Sequence, residues 1–137
     1  MTRQLPAILV EPDVLDHLEE KVVVVSRRAR PHPSGTRVVY IGRPSALGNP
    51  YRIAPGYDVA RDPDDVLGRY ARWLERQLDT DTAARRAILE IIAAVCIGET
   101  IALECWCAPA RCHGDVVRSL VLDTIRGAMH DVLALEQ

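Results

Sequence analysis

Phenylalanine is absent from the 137 residues, and the aromatic complement is only two tryptophans and four tyrosines. The core must therefore be built from Val, Leu, Ile and Ala. Lysine is nearly absent too: Lys21 stands alone, and arginine supplies the remaining basic residues, a bias typical of a GC-rich genome. No run of 18 or more apolar residues exists, so no segment is expected to span a membrane. The first residues lack the basic-then-apolar order of a signal peptide, because Glu11, Asp13 and Asp16 interrupt it. A cytoplasmic location is the expectation. The net charge of −2 gives no general attraction to nucleic acid. Four cysteines in such a chain argue against a disulfide framework and toward metal, redox or nucleophile roles.

What is present is the balance of one globular domain over residues 1–137, 48% hydrophobic and 26% charged. Pro12, Leu15 and Leu18 predict a short helix over 12–20. Val22 to Val25 is a β-branched run without alternation, the pattern of a strand buried on both faces. Prolines 31 and 33 make 30–35 a loop, in which His32 is expected to be solvated. A second strand is predicted over 37–41 and a third over 100–105. Apolar residues at helical spacing predict helices from about Asp64, with Tyr70 and Trp73 inward, and from about Asp81 to Gly98. A last helix is expected from about Asp115 to Leu135, and Cys96 reads as a small core residue. Strands alternating with helices imply an α/β fold, three-layered and Rossmann-like, with a mostly parallel sheet flanked by helices. Ligands of such folds sit beyond the carboxyl ends of the strands.

Two loops leave strands at that end. In the first, Pro44 and Pro50 fix the backbone while Gly48 and Asn49 permit tight turns. It is either a plain tight turn or a preorganised cradle, with Arg43 as an anion clamp, Ser45, Gly48 and Asn49 as hydrogen-bonding positions, and Tyr51 as a stacking ring. The second, Cys105-Trp106-Cys107-Ala108-Pro109-Ala110-Arg111-Cys112-His113-Gly114-Asp115, holds three of the four cysteines. Cys105 and Cys107 are two apart on extended backbone and face one way. Trp106 then faces the other way and is expected to pack on a helix. Cys112 and His113 open the last helix, where free N–H groups and the positive dipole end favour an anion or thiolate.

Several chemistries compete for this turn. Cys105, Cys107, Cys112 and His113 have the number and type of ligands for zinc or iron, although the spacer is short. Alternatively Cys112 or Cys105 is a reactive thiol, with His113 as acid/base or thiolate partner and Asp115 orienting it or binding the ligand, Cys112 leading. A third reading is a phosphate cradle using Gly114 and the helix start, with Trp106 or Tyr51 stacking a flat ring and Cys105 and Cys107 as pocket walls. In the plainest reading the cysteines only line a pocket.

Tyr40-Ile41-Gly42-Arg43-Pro44-Ser45, Leu47-Gly48-Asn49-Pro50-Tyr51, Cys105-Trp106-Cys107-Ala108-Pro109 and Cys112-His113-Gly114-Asp115-Val116 resemble domain-of-unknown-function family 4326, of bacteria and their phages. Arg69 to Leu74 is similar to that family's middle helix. The resemblance covers about residues 22–123 and keeps the Cys-Trp-Cys and Cys-His-Gly-Asp pattern without departure, but it brings no activity with it. A looser similarity to uncharacterised family 488, whose strand-to-helix turn also ends in Cys-His, implies that Cys112-His113 is the shared unit. The expectation is a protein that binds a nucleotide, nucleoside or similar phosphate-bearing small molecule between loops 43–51 and 106–114. Its rivals are a zinc- or iron-binding module and a non-catalytic nucleotide sensor. No membrane partner is expected, and residues outside the match leave a homo-oligomer open.

Overall fold

The fold is described from a computed structural model covering residues 10, 12–29, 32, 34–50, 63–106 and 112–135. Chain order runs α1 (Pro12–Asp16), a 3-10 turn (Leu18–Lys21), β1 (Val22–Ser26), β2 (Thr36–Tyr40), α2 (Pro63–Gln77), α3 (Ala83–Cys96), β3 (Thr100–Cys105) and α4 (His113–Leu135). The class is α/β, as its alternating pattern predicts.

The three strands form one sheet in the order β1-β3-β2, and both pairings are parallel. Val24 and Val39 both flank Leu103, while Val25 and Tyr40 both flank Glu104. Because side chains alternate along a strand, this register assigns every residue to one of two faces. Val22, Ile101, Leu103 and Cys105 share one face and join the apolar core with the helices. Val23, Val25, Ala102, Glu104 and Tyr40 share the other.

Thr82 starts α3 by accepting the Arg85 N–H at 3.0 Å, a side-chain N-cap. Gly98, at φ +98°, ends it in the left-handed region. The inner side of α3 buries Ala84, Ile88, Ile91, Ile92 and Val95, and Cys96 is buried beside them as expected. Tyr70 and Leu74 are the buried stripe of α2, and Leu78, just beyond its end, is buried with them. Trp73 is partly buried against the same core. Val117, Val121 and Ile125 form the corresponding stripe of α4.

Helix α4 begins at His113, two residues before its predicted start, because Cys112 acts as its N-cap. The Cys112 sulfur accepts the Gly114 N–H at 3.3 Å, and Asp115 Oδ2 accepts the Cys112 N–H at 3.3 Å. This is a reciprocal capping box with a thiol where Ser or Thr usually stands. No described helix is long and apolar enough to cross a membrane.

Candidate functional site

The carboxyl ends of all three strands lie at one rim of the sheet, and the two loops named above leave β2 and β3 there. The first loop is held from several sides. Ser45 N–H donates to Gly42 O and Gly48 N–H to Ser45 O, giving two consecutive turns. Tyr40 OH donates to Arg43 O at 2.8 Å, and Tyr70 OH reaches from α2 to Leu47 O at 2.7 Å. A side chain at Gly48 would approach the Arg43 backbone and Ser45 O at 3.1 Å, so the chain crosses itself too closely for a Cβ. Arg43 is exposed and Asn49 half-buried. Ser45 Oγ is buried and is the one such side-chain atom, among the described residues, with no hydrogen-bond partner. An unsatisfied buried hydroxyl costs about 1–3 kcal/mol, so it marks a place where a polar group is wanted.

The second loop joins the first through His113. Its Nε2 lies 2.6 Å from Ile41 O. A carbonyl only accepts, so Nε2 carries the proton and donates. Tyr70 meets the His113 ring edge-on at 5.2 Å. Burial, and then the nearby Cys112 sulfur, raise the Tyr70 phenol well above its ordinary range. Tyr70 thus stays protonated and keeps donating to the loop.

Cys112 is buried, and its sulfur is 3.1 Å from that of the fully buried Cys105. The thiol pair sits between the end of β3 and the start of α4. Asp115 is exposed and caps Cys112 N–H; its hydrogen bond goes to the cap, not to His113. Gly114 lets the helix start approach the sheet: a Cβ there would meet Val24 Cγ1 at 2.8 Å. Tyr51 and Cys107 lie outside the described residues. Among the described residues no group of three His, Cys, Asp or Glu side chains could hold a metal ion.

Two features were not anticipated, and both lie on the opposite face of β3. Glu104 is fully buried, with Oε2 2.8 Å from His32 Nε2 and Oε1 3.9 Å from the Arg27 guanidinium. His32 is therefore not solvated; its side chain is only 7% exposed. The connector from β1 to β2 carries His32 over Glu104, because β1 and β2 flank β3 and the chain must pass across it. Trp106 does not pack on a helix either. It is 49% exposed, and Arg27 lies between its ring, at 5.5 Å, and that of Tyr40, at 4.6 Å. Arg28 is 6.0 Å from the Trp106 ring. A Pro-flanked His and a strand-end Glu carry no local signal of a pair formed 72 residues apart.

The model of a family described as Domain of unknown function (DUF4326) matches residues 24–123. The chain belongs to that family. No curated protein and no solved structure matches it. The matched span begins inside β1 and ends within α4, so it contains the end of β1, all of β2 and β3, both loops and the start of α4.

Proposed function

We propose that the protein binds a nucleotide, nucleoside or similar phosphate-bearing small molecule in the cleft bounded by loops 43–51 and 106–114. The observation that carries this reading is Ser45 Oγ, buried without a partner in a loop otherwise fastened by Tyr40 and Tyr70. A rigid loop holding one unsatisfied hydroxyl is a preorganised site. Exposed Arg43 supplies charge for a phosphate, and half-exposed Trp106 at the same rim offers a ring for stacking. The helix start at Cys112-His113-Gly114 adds the dipole that favours an anion.

Where chemistry follows binding, Cys112 is the nucleophile. The 3.1 Å between the two sulfurs supports thiol chemistry over shared metal ligation. Two thiolates on one tetrahedral zinc, with bonds of about 2.3 Å, would stand about 3.8 Å apart. A non-catalytic sensor is the second reading. His113 and Asp115 favour it, since each already serves a structural bond, to Ile41 O and to Cys112 N–H.

A thermal-shift screen over nucleoside mono-, di- and triphosphates tests the proposal. A ligand at about 100 times its Kd should stabilise by about 2.7 kcal/mol. The Ser45→Ala variant should fold as well as the parent and respond less. If no nucleotide raises Tm, or if Ser45→Ala responds fully, the reading is wrong.

A further inference from the structure

The Cys105–Cys112 pair has a property that ligand binding does not use. Both side chains are fixed by regular structure, Cys105 by the last pairing of β3 with Ser26 and Cys112 by the capping box of α4. Their sulfurs are already 3.1 Å apart, and a disulfide bond needs about 2.05 Å. The remaining gap is about 1 Å. The two thiols are not equivalent. Cys112 receives the Gly114 N–H on its sulfur and sits at the positive end of a 23-residue helix, so anionic sulfur is favoured there. Cys105 lies deeper, 0% exposed.

We propose that Cys105 and Cys112 form a reversible redox centre that closes to an intramolecular disulfide under peroxide. The Cys112 thiolate attacks one peroxide oxygen, breaking the O–O bond. This gives a sulfenic acid on Cys112 and, after protonation, one water. The Cys105 thiol then attacks the Cys112 sulfur, the S–S bond forms, and the sulfenic hydroxyl leaves with the Cys105 proton as a second water. The dithiol loses two electrons and peroxide gains two. In the disulfide, Cys112 is no longer a nucleophile, so oxidation disables any thiol chemistry at the rim. Burial slows entry of the oxidant and equally shields the product from bulky reductants, so a small dithiol is the natural reagent for reversal.

The test uses an accident of sequence. Arg111 separates the two cysteines, so trypsin leaves Cys96, Cys105 and Cys107 on the peptide 87–111 and Cys112 on 112–118. Reduced full-length protein is treated with hydrogen peroxide, alkylated, digested and analysed by mass spectrometry. The expected product joins the two peptides through Cys105 and Cys112, about 2 Da below their summed mass, and disappears with dithiothreitol. In Cys105→Ser the crosslink is lost, and Cys112 sulfenic acid is trapped instead by dimedone. The wild-type crosslink is informative even if that variant folds poorly. The proposal fails if Cys112 is recovered fully alkylated, if it goes to sulfinic acid without a crosslink, or if the joined partner is Cys96 or Cys107. It also fails if oxidation releases a stoichiometric metal ion. None of these outcomes depends on whether a nucleotide binds.

Discussion

Gly114 and Gly127 lie on one helix, yet substitution to alanine should move stability in opposite directions. A Cβ at Gly114 would lie 2.8 Å from Val24 Cγ1, 3.2 Å from Cys112 Sγ and 3.3 Å from Ile41 Cδ1. The valine decides the outcome, because a β-branched side chain held in a parallel ladder has little freedom at χ1. Overpacking of this kind costs about 1–3 kcal/mol, against at most about 1 kcal/mol gained from alanine's helix propensity. A net loss of about 1–2 kcal/mol follows. At Gly127 nothing lies within 4 Å of the added methyl, so the propensity gain of about 0.5–1 kcal/mol stands alone. The two variants should differ by about 2 kcal/mol, read as opposite shifts of the urea midpoint at unchanged slope. Combining Gly114→Ala with Val24→Ala removes the clash, so the double variant should lose less than the sum of the singles, with a coupling of about 1 kcal/mol. If Gly114→Ala is as stable as the parent, the close seating of α4 on β1 is refuted, and with it the geometry that brings Cys112 to Cys105.

Tyr70→Phe should cost about 1–2 kcal/mol by leaving Leu47 O without its donor, and should blunt any nucleotide response through a looser 43–50 loop. The same phenol sets an alkaline limit. Its folded-state proton is held more tightly than the ordinary value of 10.0 allows, so its contribution is intact below pH 10. Above that the unfolded chain loses the proton first, and stability falls by up to about 1.4 kcal/mol per pH unit. Burial pushes the Cys96 thiol up from 9.0 and adds a loss of the same sign, starting lower. Denaturation from pH 8 to 11 should show this decline, shallower in Tyr70→Phe; equal slopes would count against a buried phenol. His32→Ala should destabilise by about 1–3 kcal/mol by taking a 2.8 Å hydrogen-bond partner from a buried carboxylate. Combining it with Glu104→Gln should recover part of that loss, and strict additivity would mean that the pair does not interact.

The parts of this molecule that could be read in the sequence are those specified by neighbours. The Val22 run and the Thr100–Cys105 strand announce themselves as short apolar runs and the stripes of α2 and α3 by period, and each stands within two or three residues of its expected place. The strand predicted over 37–41 runs 36–40 because Ile41 has left the β2 ladder: its N–H still reaches Glu104 O, but its carbonyl is taken by His113. What could not be read is what depends on distant residues. Nothing local says that β3 is the middle strand, so nothing says that Glu104 is enclosed between β1 and β2. His32 looked solvated between two prolines because its partner is 72 positions away. Strand alternation alone sends Trp106 to a helix, but the face it meets is occupied by Arg27 and Tyr40. The cysteine turn shows both cases together, since its clustering was visible and the division of labour within it was not.

That division follows from the alternation of β3. Glu104 and Cys105 are adjacent, so their side chains leave opposite faces of the same strand end. One lies against His32 and the Arg27 guanidinium, the other makes a thiol contact with Cys112. The backbone between them is pinned on both sides: Glu104 O accepts from Ile41 N–H, and Cys105 O accepts from Arg27 N–H, each at 2.9 Å. A displacement of the strand end would therefore disturb both clusters at once, together with the loop that presents Ser45. A ligand seated on that loop and a disulfide closing beside it would act on one element, the physical route by which oxidation of the thiol pair would alter binding at the rim.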